Sequence, residues 1–258
     1  MHIGIVGSQG FIGRNLCDVL QRQNSHKVYK WMRPKDGDFL IEEHRERFLG
    51  LKFDLVFQLA WTNVNDPKYR TQSDNRLYAL ASINFAHACQ LRGTKLVLMS
   101  SSITNHEYIS DNYTKSKRFL EDIIRESSFD NVSLVKPTIV FSIEERRPHL
   151  LRQFISWIES GKTRDTFEIK TPSELIEVIE VRDLAISLTS FINSDFIPGI
   201  YKITSGFRVT VEQFIQQLSD YLNGLTSHLL PESTFVKSTS LNSEQVVYSR
   251  SETLKFFS

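Results

Sequence analysis

The 258-residue chain has only two cysteines, Cys17 and Cys89, too few for a disulfide framework or for a closed metal site. Both fall in predicted helices, where buried thiols are expected. No apolar run approaches the roughly 18 residues that cross a bilayer. The N-terminus enters a strand pattern directly, without a basic region or a cleavage site, so a cytoplasmic protein with no membrane partner is expected. Charge of one sign is missing too: 31 Lys+Arg against 30 Asp+Glu leaves a net +1, no field to gather nucleic acid or anionic lipid. Internal repeats and low-complexity tracts are absent. What remains is an ordinary globular composition, 40% hydrophobic and 24% charged. At about 150 residues per domain, its length suits one large domain or one and a half.

The first chemical signal lies at residues 2 to 13. A short β-branched run, Ile3 to Val6, is followed by Gly7-Ser8-Gln9-Gly10-Phe11-Ile12-Gly13 and then by an amphipathic stretch, Arg14 to Gln23. Strand, glycine turn and helix in that order suit a dinucleotide. One glycine permits the turn, one lets backbone approach a pyrophosphate, and one lets helix and strand pack closely. Free N–H groups at the helix N-terminus then face the phosphates. The turn thus nominates Gly7, Gln9, Gly10, Phe11, Ile12 and Gly13 as cofactor contacts.

Further strands read as Lys27 to Met32, Asp54 to Ala60 and Lys95 to Met99, the last running into Ser100-Ser101-Ser102; a long helix follows Asn75. Strands alternating with helices through short turns predict right-handed crossovers and an α/β, doubly wound parallel sheet, whose ligands bind beyond the carboxyl ends of the strands. The second strand ends at Met32-Arg33. With no carboxylate there to receive a ribose 2′-OH, and a guanidinium that could take a 2′-phosphate, the expected cofactor is NADP, with NAD as the alternative. A solvated strand end is the plainer reading of Arg33.

Tyr113 and Lys117 stand four apart at the start of a predicted helix and project from one face. A phenol with a pKa near 10 is a poor acid at neutral pH unless a cation stabilises its phenolate. Lys117 can do that, leaving Tyr113 to pass a proton to or from a substrate oxygen. Alone, Y-x-x-x-K is often only a helix surface. Its weight comes from following a nucleotide turn and a strand ending in serines.

Together, G-x-x-G-x-x-G at residues 7–13, the serine-ended strand and Tyr113/Lys117 resemble the extended short-chain dehydrogenase/reductase family, of the NAD-dependent epimerase/dehydratase type, with a Rossmann-type sheet. The resemblance implies that Leu59 and Ala60 pass the nicotinamide ribose, that Asn75 braces the strand ends, that Asp38 lies beside the adenine, and that Ser100 and Pro137 flank the cofactor. It points to Ser102 as the hydroxyl that holds the substrate carbonyl, with Ser101 next in line. Ser100 and Ser101 could instead simply satisfy strand-end backbone groups. It also implies a dinucleotide-binding domain over 1–141, with a returning segment at about 175–205, and a smaller substrate-binding region over 142–258. Trp61, Ser102, Thr138, Arg146 and Arg147 are the expected substrate contacts, the two arginines on a diphosphate unless they are merely solvated.

Departures from the family pattern matter. Gln58 replaces the usual His or Asn, Lys136 replaces Arg, and Ile176 stands where UDP-sugar binders often carry Arg. Only eleven positions separate Ser102 from Tyr113, implying a more open pocket. Ile103-Thr104 stands where the family's dehydratases carry Asp-Glu, so dehydration lacks its acid and base. The resemblance therefore implies an NADP(H)-dependent reductase of a keto group on a nucleotide-sugar. The alternatives are an NAD-dependent 4-epimerase and a non-catalytic NAD(P) sensor. A homodimer through the Tyr/Lys helix and the helix before it is the family's habit, with Phe119 and Ile123 available for it or for core packing.

Overall fold

Ile3, Ile5, Leu55, Val56, Phe57, Leu96, Val97 and Leu98 are all wholly inaccessible, and strands buried on both faces are what a parallel sheet with helices on either side requires. In the computed structural model, which describes residues 1–32, 35–62, 70–142, 157, 160, 169, 171–192, 196–222 and 245–248, they lie in such a sheet. Its strands are β1 (His2–Val6), β2 (Lys27–Lys30), β3 (Leu55–Gln58), β4 (Lys95–Met99), β5 (Val132–Pro137), β8 (Gly199–Thr204) and β10 (Gln245–Tyr248). The order β10-β8-β5-β4-β3-β1-β2 is parallel throughout. The expected α/β doubly wound class is therefore observed.

Helices cover both faces. Helix α1 (Phe11–Gln23) packs beside α5 (Val181–Thr189) on one, and α3 (Asp74–Leu91) beside α4 (Asn112–Glu126) on the other; the short α2 (Glu42–Leu49) adjoins α3. Side-chain alternation sorts the core: Val97 of β4 joins Leu16, Leu20 and Leu184, whereas Leu96 and Leu98 join Phe85, Leu120 and Leu134. Cys17 and Cys89 sit one in each layer, and burial pushes their thiols up to about 11 and about 12, so neither is a thiolate at neutral pH.

A second sheet joins β6 (Ile139–Phe141) in parallel to β7 (Leu175–Glu180), and β7 antiparallel to β9 (Arg208–Thr210). Helix α6 (Val211–Leu222) closes it around Phe141 and Phe214. The 142–258 stretch thus contributes β8 and β10 to the large sheet, while β6 of the 1–141 stretch belongs to the small one. Between 143 and 168 only Trp157 and Ser160 are described, and Arg33, Arg146 and Arg147 lie outside the described residues. No helix among the described residues is long and apolar enough to cross a membrane.

One feature of the order positions the site. The chain leaves β1 for β2 on one side and returns to β3 on the other, so connections diverge at the carboxyl ends of β1 and β3, where such a sheet opens a crevice.

Candidate active site

Each glycine of the turn does different work. Gly7 has φ +85°, which an L side chain rarely adopts, and a Cβ there would lie 2.7 Å from the Ala60 backbone nitrogen. A Cβ on Gly13 would lie 2.2 Å from the Gly7 carbonyl oxygen, so α1 can approach the turn this closely only without a side chain. Gly10 is the exception. A Cβ there would meet only the Gly7 oxygen, at 3.2 Å, and its φ is an ordinary −74°. The fold itself has little need of a glycine at 10, and the absent side chain leaves the backbone there open to approach. Gly10 is also the N-cap of α1, with no side-chain cap and no acidic residue in the first turn, an end suited to an anion. These features fit the pyrophosphate of a dinucleotide.

A cavity of about 620 Å³ opens over this turn, within the range of small-ligand sites. Gly7, Gln9, Gly10, Phe11, Ile12 and Gly13 line it, and so do Leu59, Ala60 and Trp61 after β3, Ser100 after β4, Pro137 at the end of β5 and Thr138 after it. Tyr113 and Lys117 complete the wall, and Lys117 is the one charged residue among the described residues that line it.

Lys117 is 2% exposed. Its Nζ donates to the Met99 carbonyl at 2.6 Å, lies 3.3 Å from the centroid of the Trp61 rings, and stands 5.7 Å from the centroid of the Tyr113 ring. Tyr113 meets Trp61 edge-on at 6.4 Å, carries Arg70 at 5.9 Å, and remains partly accessible. Burial pushes the Lys117 pKa well below the usual lysine range, and Glu121 on the same helix pulls it back up.

That ammonium therefore costs stability wherever it must be charged. The folded state releases its proton more readily than the unfolded chain, so the cost diminishes as pH rises from the folded pKa toward the unfolded value of about 10.4. Lys117→Met should raise the melting temperature of the cofactor-free protein at pH 7 by about 2–4 °C, the equivalent of roughly 1 kcal/mol, with the gain shrinking toward pH 10. Calorimetry across that range checks it, and a lowered Tm would mean that the Met99 and Trp61 contacts outweigh desolvation.

Three expected contacts stand back from the cavity. Asn75 is wholly buried; its Oδ1 accepts from Trp61 Nε1 at 2.8 Å and from Thr62 Oγ1 at 3.2 Å, so it braces the residues after β3 rather than lining the wall. The Asp38 carboxylate accepts from the Leu40 backbone at 3.0 Å, and its neighbour Phe39 lines the cavity instead. Ser102 is displaced by its own turn. The chain winds into the 3-10 turn Ser102–Asn105 as soon as β4 ends, the Ser101 hydroxyl accepting from Ile103 N at 3.4 Å, and this leaves Ser101 on the wall and Ser102 off it. Ser100 lines the wall but donates its hydroxyl to Glu121 at 2.5 Å.

Residues unseen in the sequence complete the wall. Tyr78, three positions beyond Asn75 on α3, could have been found by helical spacing; Trp31, at the end of β2, is drawn in by the Ser8 hydroxyl bonding its carbonyl at 2.7 Å. A carboxylate also returns to the end of β2. Asp36 accepts from Met32 N and from the Tyr29 hydroxyl, each at 2.7 Å.

Against this geometry, a model of the NAD dependent epimerase/dehydratase family matches residues 3–203. The chain belongs to this family. Solved structures extend the likeness over the whole fold. A dTDP-4-dehydrorhamnose reductase from Bacillus anthracis, in complex with NADP, is 17% identical with a TM-score of 0.69 over 98% of this chain and 91% of its own. A UDP-glucose 4-epimerase from Thermus thermophilus, in complex with NAD, is 18% identical with a TM-score of 0.65 over 100% of this chain and 92% of its own. An uncharacterized protein of Invertebrate iridescent virus 6 is 23% identical over 93 residues, 35% of this chain and 78% of that protein. The epimerase/dehydratase family chain is thus an NAD(P)-dependent enzyme of the extended short-chain dehydrogenase type, and the cavity over residues 7–13 suits its nicotinamide cofactor.

Proposed function

We propose that the chain reduces a keto group on a nucleotide-activated sugar, using NADP(H). The observation that carries this reading is the meeting of Tyr113 and Lys117 with the glycine turn in one cavity. The turn and the α1 N-terminus hold the pyrophosphate. When bound, the reduced nicotinamide supplies hydride to the carbonyl carbon. Tyr113 gives its proton to the carbonyl oxygen, and the Lys117 ammonium stabilises the phenolate that results. Ser101 holds the carbonyl, since its oxygen accepts from Ile103 N and its own proton stays free to donate. Thr138 has a buried hydroxyl with no hydrogen-bond partner among the described residues and lies on the same wall, available to substrate or cofactor. Ile103-Thr104 offers no carboxylate pair for dehydration.

The choice of NADP(H) rests on Arg33 following Met32 in the sequence and on Asp36, whose two oxygens are already engaged by Tyr29 and Met32. A second reading, an NAD-dependent 4-epimerase, is favoured by the same Asp36, a carboxylate at the strand end where a ribose 2′-OH would lie. A thermal-shift panel separates them. At a hundredfold excess over Kd, NADPH should raise Tm by roughly 5–10 °C, with NADH giving less, and a nucleoside diphosphate should add a further rise that names the sugar's carrier. Protein that purifies with NAD bound and shows no preference for NADPH overturns the reductase in favour of the epimerase.

A further inference from the structure

Glu121 is 4% exposed and lies one turn beyond Lys117, so Tyr113, Lys117 and Glu121 follow one another at four-residue intervals along α4. Other elements hold its carboxylate. Ser100, at the end of β4, donates to Oε1 at 2.5 Å, and Lys136 Nζ, near the end of β5, lies 3.1 Å from Oε2. The same ammonium donates to Asn105 Oδ1 at 2.5 Å. Lys136 is itself 2% exposed. A buried carboxylate, ion-paired to Lys136 and one helical turn from Lys117, therefore sits directly behind the cavity wall, since Ser100 belongs to that wall and Pro137 and Thr138 follow Lys136.

Such an arrangement is a poor way to gain stability, because a buried pair is often matched or bettered by apolar side chains of equal volume. The other charged groups near this helix are engaged elsewhere. Arg70 pairs with Asp111 and lies over the Tyr113 ring, Arg118 donates to the Thr104, His106 and Ile109 carbonyls, and Arg76 lies over Phe119. Around Lys117 itself stand the Met99 carbonyl, Trp61, Tyr113 and the charge of Glu121.

We propose that Glu121 is a positioning residue for the Tyr113/Lys117 pair: fixed by Ser100 and Lys136, its buried carboxylate one turn along α4 is the counter-charge that keeps the Lys117 ammonium protonated. The role rests on the catalytic reading of that pair. Lys136 sets the strength of the effect by drawing on the same carboxylate. The two residues therefore act on Lys117 with opposite signs, which a merely structural pair would not do.

NMR titration of isotope-labelled lysines, with the Lys117 signal assigned by its loss in Lys117→Arg, reads the coupling without any substrate. Glu121→Gln should lower the Lys117 midpoint by about one pH unit, and Lys136→Met, which removes the cation paired with Glu121, should raise it. Lys136→Arg should leave it near that of the wild type. The alkaline limb of kcat/KM for keto-sugar reduction should move with the midpoint in each variant. If Glu121→Gln does not fold, the upward shift in Lys136→Met carries the test. An unmoved midpoint, or shifts of the same sign in both variants, overturns the proposal, and so do midpoint shifts that leave the alkaline limb unchanged. Should Tyr113→Phe prove fully active, the catalytic reading fails, while the titration still reports whether Glu121 and Lys117 are coupled.

Discussion

Tyr113→Phe should lower kcat for keto-sugar reduction by about 10²- to 10⁴-fold, the range set by losing a positioned general acid, while leaving the Kd for NADP(H) nearly unchanged. The two effects separate because the pyrophosphate is assigned to the glycine turn and not to the phenol. Its ring is held edge-on to Trp61 and under Arg70, contacts a phenylalanine keeps, so the variant loses a proton donor and not its packing. Single-turnover decay of NADPH absorbance, with cofactor affinity from fluorescence, reads both quantities. KM should change little, because the proposed carbonyl contact of Ser101 and the rest of the wall are left in place. Unchanged turnover of every keto-sugar tested would remove the catalytic role of Tyr113. Cofactor binding without turnover in the wild type would point to the sensor that the fold also permits.

Local signals made the centre of this site legible and left its edges to tertiary folding. Strand, turn and helix over residues 2–23 are written as β-branching, glycine spacing and amphipathic period. Tyr113 and Lys117 are adjacent in space because helical geometry makes them so. Ser101 and Ser102 could not be told apart, because the choice depends on where the chain leaves β4 and starts its 3-10 turn, a matter of one residue. Asp36 was invisible as the residue at the end of β2, since it reaches Met32 and Tyr29 only through a reversal of the chain around residues 35–37. Glu121 lies four residues from Lys117, but its partner Lys136 comes from a distant strand, and only the sheet brings them together. Phe119 and Ile123, open in the sequence to a dimer contact or to core packing, lie partly buried against the α3–α4 side of the core, and Arg76 covers Phe119.

The glycine turn offers the other large effect, and two alanine variants should divide it. Gly13→Ala places a methyl 2.2 Å from the Gly7 oxygen, 2.8 Å from Ser8 Cα and 2.9 Å from the Gly7 carbonyl carbon, all backbone atoms that cannot rotate aside. The helix must retreat from the strand, at a cost of about 3 kcal/mol, the upper part of the range for overpacking, and Tm should fall by roughly 6–12 °C. Gly10→Ala should behave differently. Its methyl has one neighbour at 3.2 Å and no conformational penalty, so the protein should melt within about 2 °C of the wild type. If the cleared space is where the pyrophosphate approaches the backbone, that same methyl displaces the cofactor, and Kd for NADPH should rise roughly 10- to 100-fold, which corresponds to about 1.4–2.8 kcal/mol. Calorimetric melting and NADPH titration on both variants read stability and affinity independently. A Gly10→Ala protein that binds NADPH as tightly as the wild type would show that the turn does not carry the pyrophosphate, and the cavity above it would then need another occupant.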